Sequence, residues 1–338
     1  MYFKTADVAA LGLFYREAGE ASKPTIVLLH GFPSSSYQFH DLIPLLADRF
    51  HVIAPDYPGM GYSEVPAPTV LRPTFDEVAR VIDMFLAERA PGPLILYMHD
   101  IGGPIGMRIA LAHPERIAGL IFQNFTTSVE GWNPERLKIY ERLGDPETPE
   151  KLAETEQFAT VERDMFLHRK GARQPEALNP DYWAIDAYAF SIPEKRVFMS
   201  RLFMNLSSNI QHYPEWNAYL KDRQPRTLIV WGRNDRSFCR QQRKWLNGLC
   251  RRPSCTISTA VTSYSTSTPM RSPRRSSRCS PDRNRSARCG LPDFRKNRSF
   301  PVPDQPCNCL VAGTAQGCAN VWLRQPPSTT IAKASWKA

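Results

Sequence analysis

Aspartate sits where a reactive group would be most exposed. The stretch Tyr97–Gly106 reads YMHDIGGPIG. An apolar run enters a turn at Asp100, and a glycine-containing helical pattern leaves it. A strand, a sharp turn and a helix in that order form a nucleophile elbow, with Asp100 where serine hydrolases carry Ser. The alternative is an aspartate that only caps the following helix. A carboxylate at an elbow attacks a carbon that bears a leaving group and becomes an alkyl ester, which a base-activated water must then hydrolyse. Two further stretches complete such a site. His30-Gly31-Phe32-Pro33 follows the apolar run TIVLL. A loop there can aim the backbone N–H of Phe32 at the same oxyanion as the N–H of Ile101. Thr227–Asp235 (TLIVWGRND) ends a late apolar run in a loop aspartate, which makes Asp235 the candidate acid. The other place for an acid, after the preceding strand, holds Asn124, which cannot ionise.

The base is missing. The chain has seven histidines and none after His212, so no histidine follows the last recognisable strand. His99 precedes the elbow and is expected to pack beneath it. His113 lies at a helix end in AHPER, and His168 and His212 lie in or near an aromatic-rich insertion. Composition changes at the same place. Residues 1–235 hold 24 Lys+Arg against 30 Asp+Glu and no cysteine, whereas 236–338 hold 19 against 3 and all eight cysteines. The net charge of +10 is therefore a property of the tail, and it is weak ground for nucleic-acid or membrane affinity of the body. The tail is rich in Ser, Arg, Pro and Thr, without apolar periodicity, and is expected to be disordered. Cys307-Asn308-Cys309 is too tight for a metal knuckle, and no metal or other cofactor is expected. Rereading Arg236–Cys279 one base out of frame permits an apolar strand, a Gly-Gly-His turn and an amphipathic helix. A shifted frame at or just after Asp235 explains both the strange composition and the lost histidine.

Short apolar runs at Thr25–Leu29, His51–Ala54, Leu94–Met98, Ile117–Phe122 and Thr227–Trp231 alternate with helical patterns. This predicts a mostly parallel, doubly wound α/β sheet, whose ligand site lies at the carboxyl ends of its strands. Between Thr126 and about Ser208 the strands stop and aromatics crowd in. The expected organisation is a core over 1–125, a helical cap over 126–208, a last core strand within 209–235 and the tail over 236–338. Candidate pocket residues are Trp132, Tyr182, Trp183, Tyr188 and Tyr213. No leader pattern opens the chain and no apolar run reaches a membrane span, so a cytoplasmic location is expected.

With HGFP, APDYPGMGYS (Ala54–Ser63), HDIGGPIG and WGRND in this order, residues from about 10 to 235 resemble the α/β-hydrolase superfamily, in the branch of epoxide hydrolases and haloalkane dehalogenases. The resemblance implies an Asp nucleophile acting, with water, on a small apolar electrophile. It also marks departures. Haloalkane dehalogenases carry a Trp after the nucleophile, and many an Asn in the first loop, to hold halide. Ile101 and Phe32 stand there and offer no side-chain donor. Epoxide hydrolases donate a proton from cap tyrosines. The matching Asn205–Asn209 segment has none, leaving Tyr182, Tyr188 or Tyr213 to substitute. The competing reading is a non-catalytic relative of the fold with a basic, nucleic-acid-binding tail.

Overall fold

The computed structural model describes residues 1–250, apart from 145, 171, 173, 233, 234, 236 and 239, together with the backbone of a strand at 254–258. Eight strands form one sheet: β1 (Tyr2–Val8), β2 (Leu11–Ala18), β3 (Thr25–Leu29), β4 (His51–Pro55), β5 (Leu94–His99), β6 (Ile117–Gln123), β7 (Thr227–Gly232) and β8 (Ser254–Ser258). Their order is β1-β2-β4-β3-β5-β6-β7-β8. The β1–β2 and β2–β4 pairs are antiparallel and the rest are parallel.

Alternation along the central strands splits the core in two. Ile26, Leu28, Ile95, Tyr97, Ile121, Leu228 and Val230 face one side, against α1 (Leu42–Ala47). Val27, Leu29, Leu96, Met98, Leu120, Phe122, Ile229 and Trp231 face the other, against α2 (Phe75–Arg89) and α3 (Gly102–Ala112). Strands covered on both faces read as continuous apolar runs, which is why the alternation was invisible in sequence. Local signals set the helices. In α2 the Thr74 side chain accepts from the Glu77 N–H, Asp76 and Glu77 lie in the first turn, and Arg89 lies in the last.

After β6 the chain leaves the sheet and returns only at β7. The excursion carries α4 (Pro134–Leu143), α5 (Pro149–Glu156), α6 (Val161–Arg169), α7 (Asp181–Phe190), α8 (Pro193–Met204), a 3-10 stretch at Asn205–His212 and α9 (Tyr213–Arg223). Helices without strands are what the sequence led one to expect here, and α9 packs on α3, with Arg108 over the Trp216 ring.

A second difference lies beyond Asp235. The core was expected to stop there, without its last helix and strand. Instead α10 (Arg240–Leu249) follows, and β8 pairs with β7 from Leu228↔Ser254 to Gly232↔Ser258. The physical reason is a usable face. Gln242, Leu246 and Cys250 recur every four residues and are buried, while Lys244 and Trp245 face solvent. The Gln242 side chain accepts from the hydroxyls of Thr126 (3.0 Å) and Ser128 (2.9 Å) and donates to that of Thr127 (3.0 Å). The remainder of the expected tail, 259–338, lies outside the described residues.

Candidate active site

Parallel pairing in register brings the chemistry to one edge. Leu29 lies beside Met98, His99 beside Gln123, and Gln123 beside Val230. The residues that follow β3, β5, β6 and β7 therefore emerge together at the carboxyl ends of the strands.

Asp100 stands on the turn between β5 and α3 with φ of 50°, a left-handed conformation that costs a non-glycine residue energy and marks functional turns. The turn is tight because α3 starts against β3. A Cβ on Gly102 would lie 2.4 Å from the carbonyl oxygen of Leu29, so only glycine fits. The Phe32 N–H donates to Asp100 Oδ1 at 3.0 Å, and the Ile101 N–H also bonds this carboxylate. Burial pushes the Asp100 carboxyl up to about 6. The two N–H bonds oppose that rise, and the charge of Asp235 adds to it. The N–H groups of Phe32 and Ile101 thus converge on the Asp100 carboxyl group.

Asp235 lies across the same cavity. Asn124, with φ of 47°, braces it from β6: its side-chain amide donates to Asp235 Oδ2 at 2.6 Å, and its oxygen accepts from the Gly232 N–H at 3.0 Å. The N–H groups of Ser237 (2.7 Å) and Phe238 (3.2 Å) donate to Asp235 Oδ1. Asn124, set aside in the sequence as an acid, is here the residue that orients the Asp235 carboxylate.

Among the described residues, His99 is the one histidine that lines the cavity, and its Nδ1 lies 2.6 Å from the Gln38 side-chain amide. His30 is buried against Tyr57, its ring held between the Gly31 carbonyl and the Tyr57 N–H. Burial pushes it down to about 4. His113 pairs with Asp83 at 2.8 Å, and His212 with Glu215 at 2.6 Å.

The cavity measures about 130 Å³, close to one that holds a single benzene ring. Its walls include Phe32, Trp132, Tyr140, Phe158, Phe203, Tyr213 and Phe238. Trp132 and Tyr213 stand where the sequence suggested, with the Trp132 indole N–H donating to the Tyr213 oxygen at 2.8 Å. Tyr182, Trp183 and Tyr188 do not line it. Tyr182 is buried and donates to Asp41 Oδ2 at 2.9 Å. Trp183 packs on His168, and Tyr188 is 51 % exposed beside Tyr62. They fail because α7 directs Tyr182 to the loop at residues 36–41, Trp183 to His168 on α6 and Tyr188 toward Tyr62 and solvent rather than to the cavity. Tyr140, Arg136 and Arg163 were missed. A signal existed, because Arg136 and Tyr140 lie four residues apart on one face of α4, the spacing at which Trp132 precedes them. Burial pushes the phenols of Tyr140 and Tyr213 up, so both remain protonated donors.

Outside the cavity, Asp164, His168 and Asp186 bring one donor atom each within 4.8 Å of the others, the one such group among the described residues. All three are buried, and burial, then the neighbouring Asp164, pushes the Asp186 carboxyl well up. A proton kept on Asp186 lets the two acids share this space.

Residues 24–255 match the model of the alpha/beta hydrolase fold family. The chain belongs to that family. It is 36 % identical over 234 residues to an uncharacterized hydrolase of Saccharomyces cerevisiae, covering 67 % of this chain and 78 % of the relative. Similarity to haloalkane dehalogenase 2 of Mycobacterium tuberculosis is 28 % over 237 residues, covering 65 % and 74 %. The fold is shared with the crystal structure of haloalkane dehalogenase DbeA from Bradyrhizobium elkanii (TM-score 0.62, 21 % identity, 78 % and 90 % covered) and with that of an ancestral haloalkane dehalogenase (TM-score 0.63, 22 % identity, 77 % and 91 % covered). Among the described residues, no helix is long and apolar enough to cross a membrane.

Proposed function

We propose that Asp100 is a nucleophile that opens a small electrophile at carbon, and that this chain stops at the resulting ester. The observation that carries the reading is Asp100 itself, on a strained turn, bonded by two backbone N–H groups, at the floor of an aromatic cavity.

An epoxide suits the cavity best. Asp100 attacks an epoxide carbon, the carbon–oxygen bond breaks, and the departing oxygen takes a proton from Tyr140 or Tyr213. Tyr213 already accepts from Trp132, which leaves its own O–H free to point at substrate. The product is a hydroxyalkyl ester on Asp100. A water then adds to the ester carbonyl carbon, and the N–H groups of Phe32 and Ile101 hold the oxyanion. That step needs a general base oriented by Asp235. No histidine is available for it: His99 is held by Gln38, and no histidine follows Asp235 in the chain. A haloalkane is the second reading, favoured by the names of the relatives. It gives an alkyl ester and a halide ion, although Phe32 and Ile101 offer the halide no side-chain donor.

Labelling kinetics test this. A small alkyl epoxide is expected to label the chain once. Replacing both tyrosines (Tyr140→Phe with Tyr213→Phe) should slow that labelling by roughly 10²-fold, and labelling by a bromoalkane of similar size by less than tenfold. Equal slowing of both reagents would remove the tyrosines from the role of acid, and labelling that persists in Asp100→Asn would remove Asp100 from that of nucleophile.

A further inference from the structure

The cavity is not apolar all round. Its cap wall carries Arg136 from α4 and Arg163 from α6, facing the floor that holds Asp100 and Asp235. Among the described residues, neither guanidinium has a carboxylate within ion-pair distance or a hydrogen bond to protein, and the Arg163 Nε is buried without a partner. What Arg163 does have is a fixed plane, with its charge 5.5 Å from the Phe158 ring and 5.2 Å from the Phe166 ring. Burial, then the charge of Arg136, pushes Arg163 below the ordinary guanidinium range. The two cations are therefore close enough to repel each other in a wall that water only partly reaches. Desolvated, unpaired like charges are costly, and an anion placed between them reverses the sign of the interaction.

We propose that the substrate carries a carboxylate, which Arg136 and Arg163 bind on the cap wall while its electrophilic carbon lies over Asp100. The planar guanidinium fork matches a carboxylate in two parallel bonds, which a point charge does not. Orientation follows from charge. Asp100 and Asp235 repel the carboxylate from the floor, so the electrophilic end alone can enter there. The Tyr140 phenol feels both arginines and both aspartates, and so stands between the anion end and the reacting end. The small cavity restricts the substrate to a short chain. The placement of the reacting carbon rests on the reading of Asp100 above, whereas binding of the anion does not.

Titration calorimetry of the full chain at low salt, with butanoate and butanamide as unreactive probes, separates the two ideas. Butanoate is expected to bind at least tenfold more tightly than butanamide. Arg163→Gln and Arg136→Gln should each remove most of that preference, and Arg163→Lys should recover part of it. A second readout is alkylation: 4-bromobutanoate should label Asp100 at least tenfold faster than 4-bromobutanamide. Equal affinity for the two probes, or a preference unchanged in both Gln variants, overturns the carboxylate site. Preferential binding of butanoate with no labelling by any electrophile would leave the arginine site standing and sink Asp100 as nucleophile. Labelling by neutral reagents with no preference for butanoate would do the reverse.

Discussion

Asp100 combines strain with an unfavourable charge, and both are measurable. Burial pushes its carboxyl from the ordinary 3.8 up to about 6. An attacking carboxylate must be ionised, so the labelling rate should rise with pH, reach half its plateau near 6, and be flat above about 7. A profile flat from pH 4.5 to 8 would mean that a different group reacts. The sign for stability is the opposite. The fold binds this proton more tightly than the unfolded chain does, so the charge destabilises the fold above about 6, and the effect vanishes below about 4. Asn tolerates the left-handed backbone as well as Asp. Asp100→Asn should therefore raise stability at pH 8 by on the order of 3 kcal/mol and leave it unchanged near pH 4, as read from denaturant midpoints. Much of this was legible in the sequence, because an elbow, a Gly-Pro loop and a late loop aspartate are local patterns. The brace by Asn124 was not, since it joins residues 111 positions apart. Tyr140 and the arginines were missed because their spacing marks a helical face but not what that face looks at.

The sheet and cap were legible as elements, since strand runs and helical patterns alternate in the body and stop in the insertion. Strand order and the assignment of aromatics to the cavity were not, because both depend on how helices dock. α7 shows the cost: its tyrosines and tryptophan have the right composition for a pocket, yet each is directed elsewhere, to Asp41, to His168 and to solvent. α10 is the reverse case. Its sequence reads as a basic tail, and its burial depends on one glutamine and two apolar residues spaced by four. Gln242 links α10 to the loop at residues 126–128 through three hydrogen bonds. Gln242→Ala leaves buried hydroxyls unpaired and should cost about 2–3 kcal/mol, seen as a lower urea midpoint at unchanged slope. A loss below about 0.5 kcal/mol would show that α10 contributes nothing to the folded body.

At the scale of the molecule, two boundaries do not coincide. Charge and cysteine content change at Asp235, whereas the family match runs to residue 255 and the described sheet to 258. A helix and a strand thus follow Asp235, whereas no histidine does. We infer that the shifted frame accounts for this. The nucleotide sequence across codons 230–265 should contain a histidine codon one base out of frame, and a chain continuing in that frame should recover turnover by about 10²–10⁴-fold. A shifted frame without a histidine codon would contradict it. The most direct measurement is made on the 338-residue chain itself: intact-mass spectrometry and peptide mapping after exposure to a reactive epoxide or bromoalkane, with product counted in the same sample. The expected result is one adduct per chain, on Asp100, with product that never exceeds one equivalent. Sustained release of many equivalents, or an adduct at any other residue with Asp100 unmodified, would contradict it.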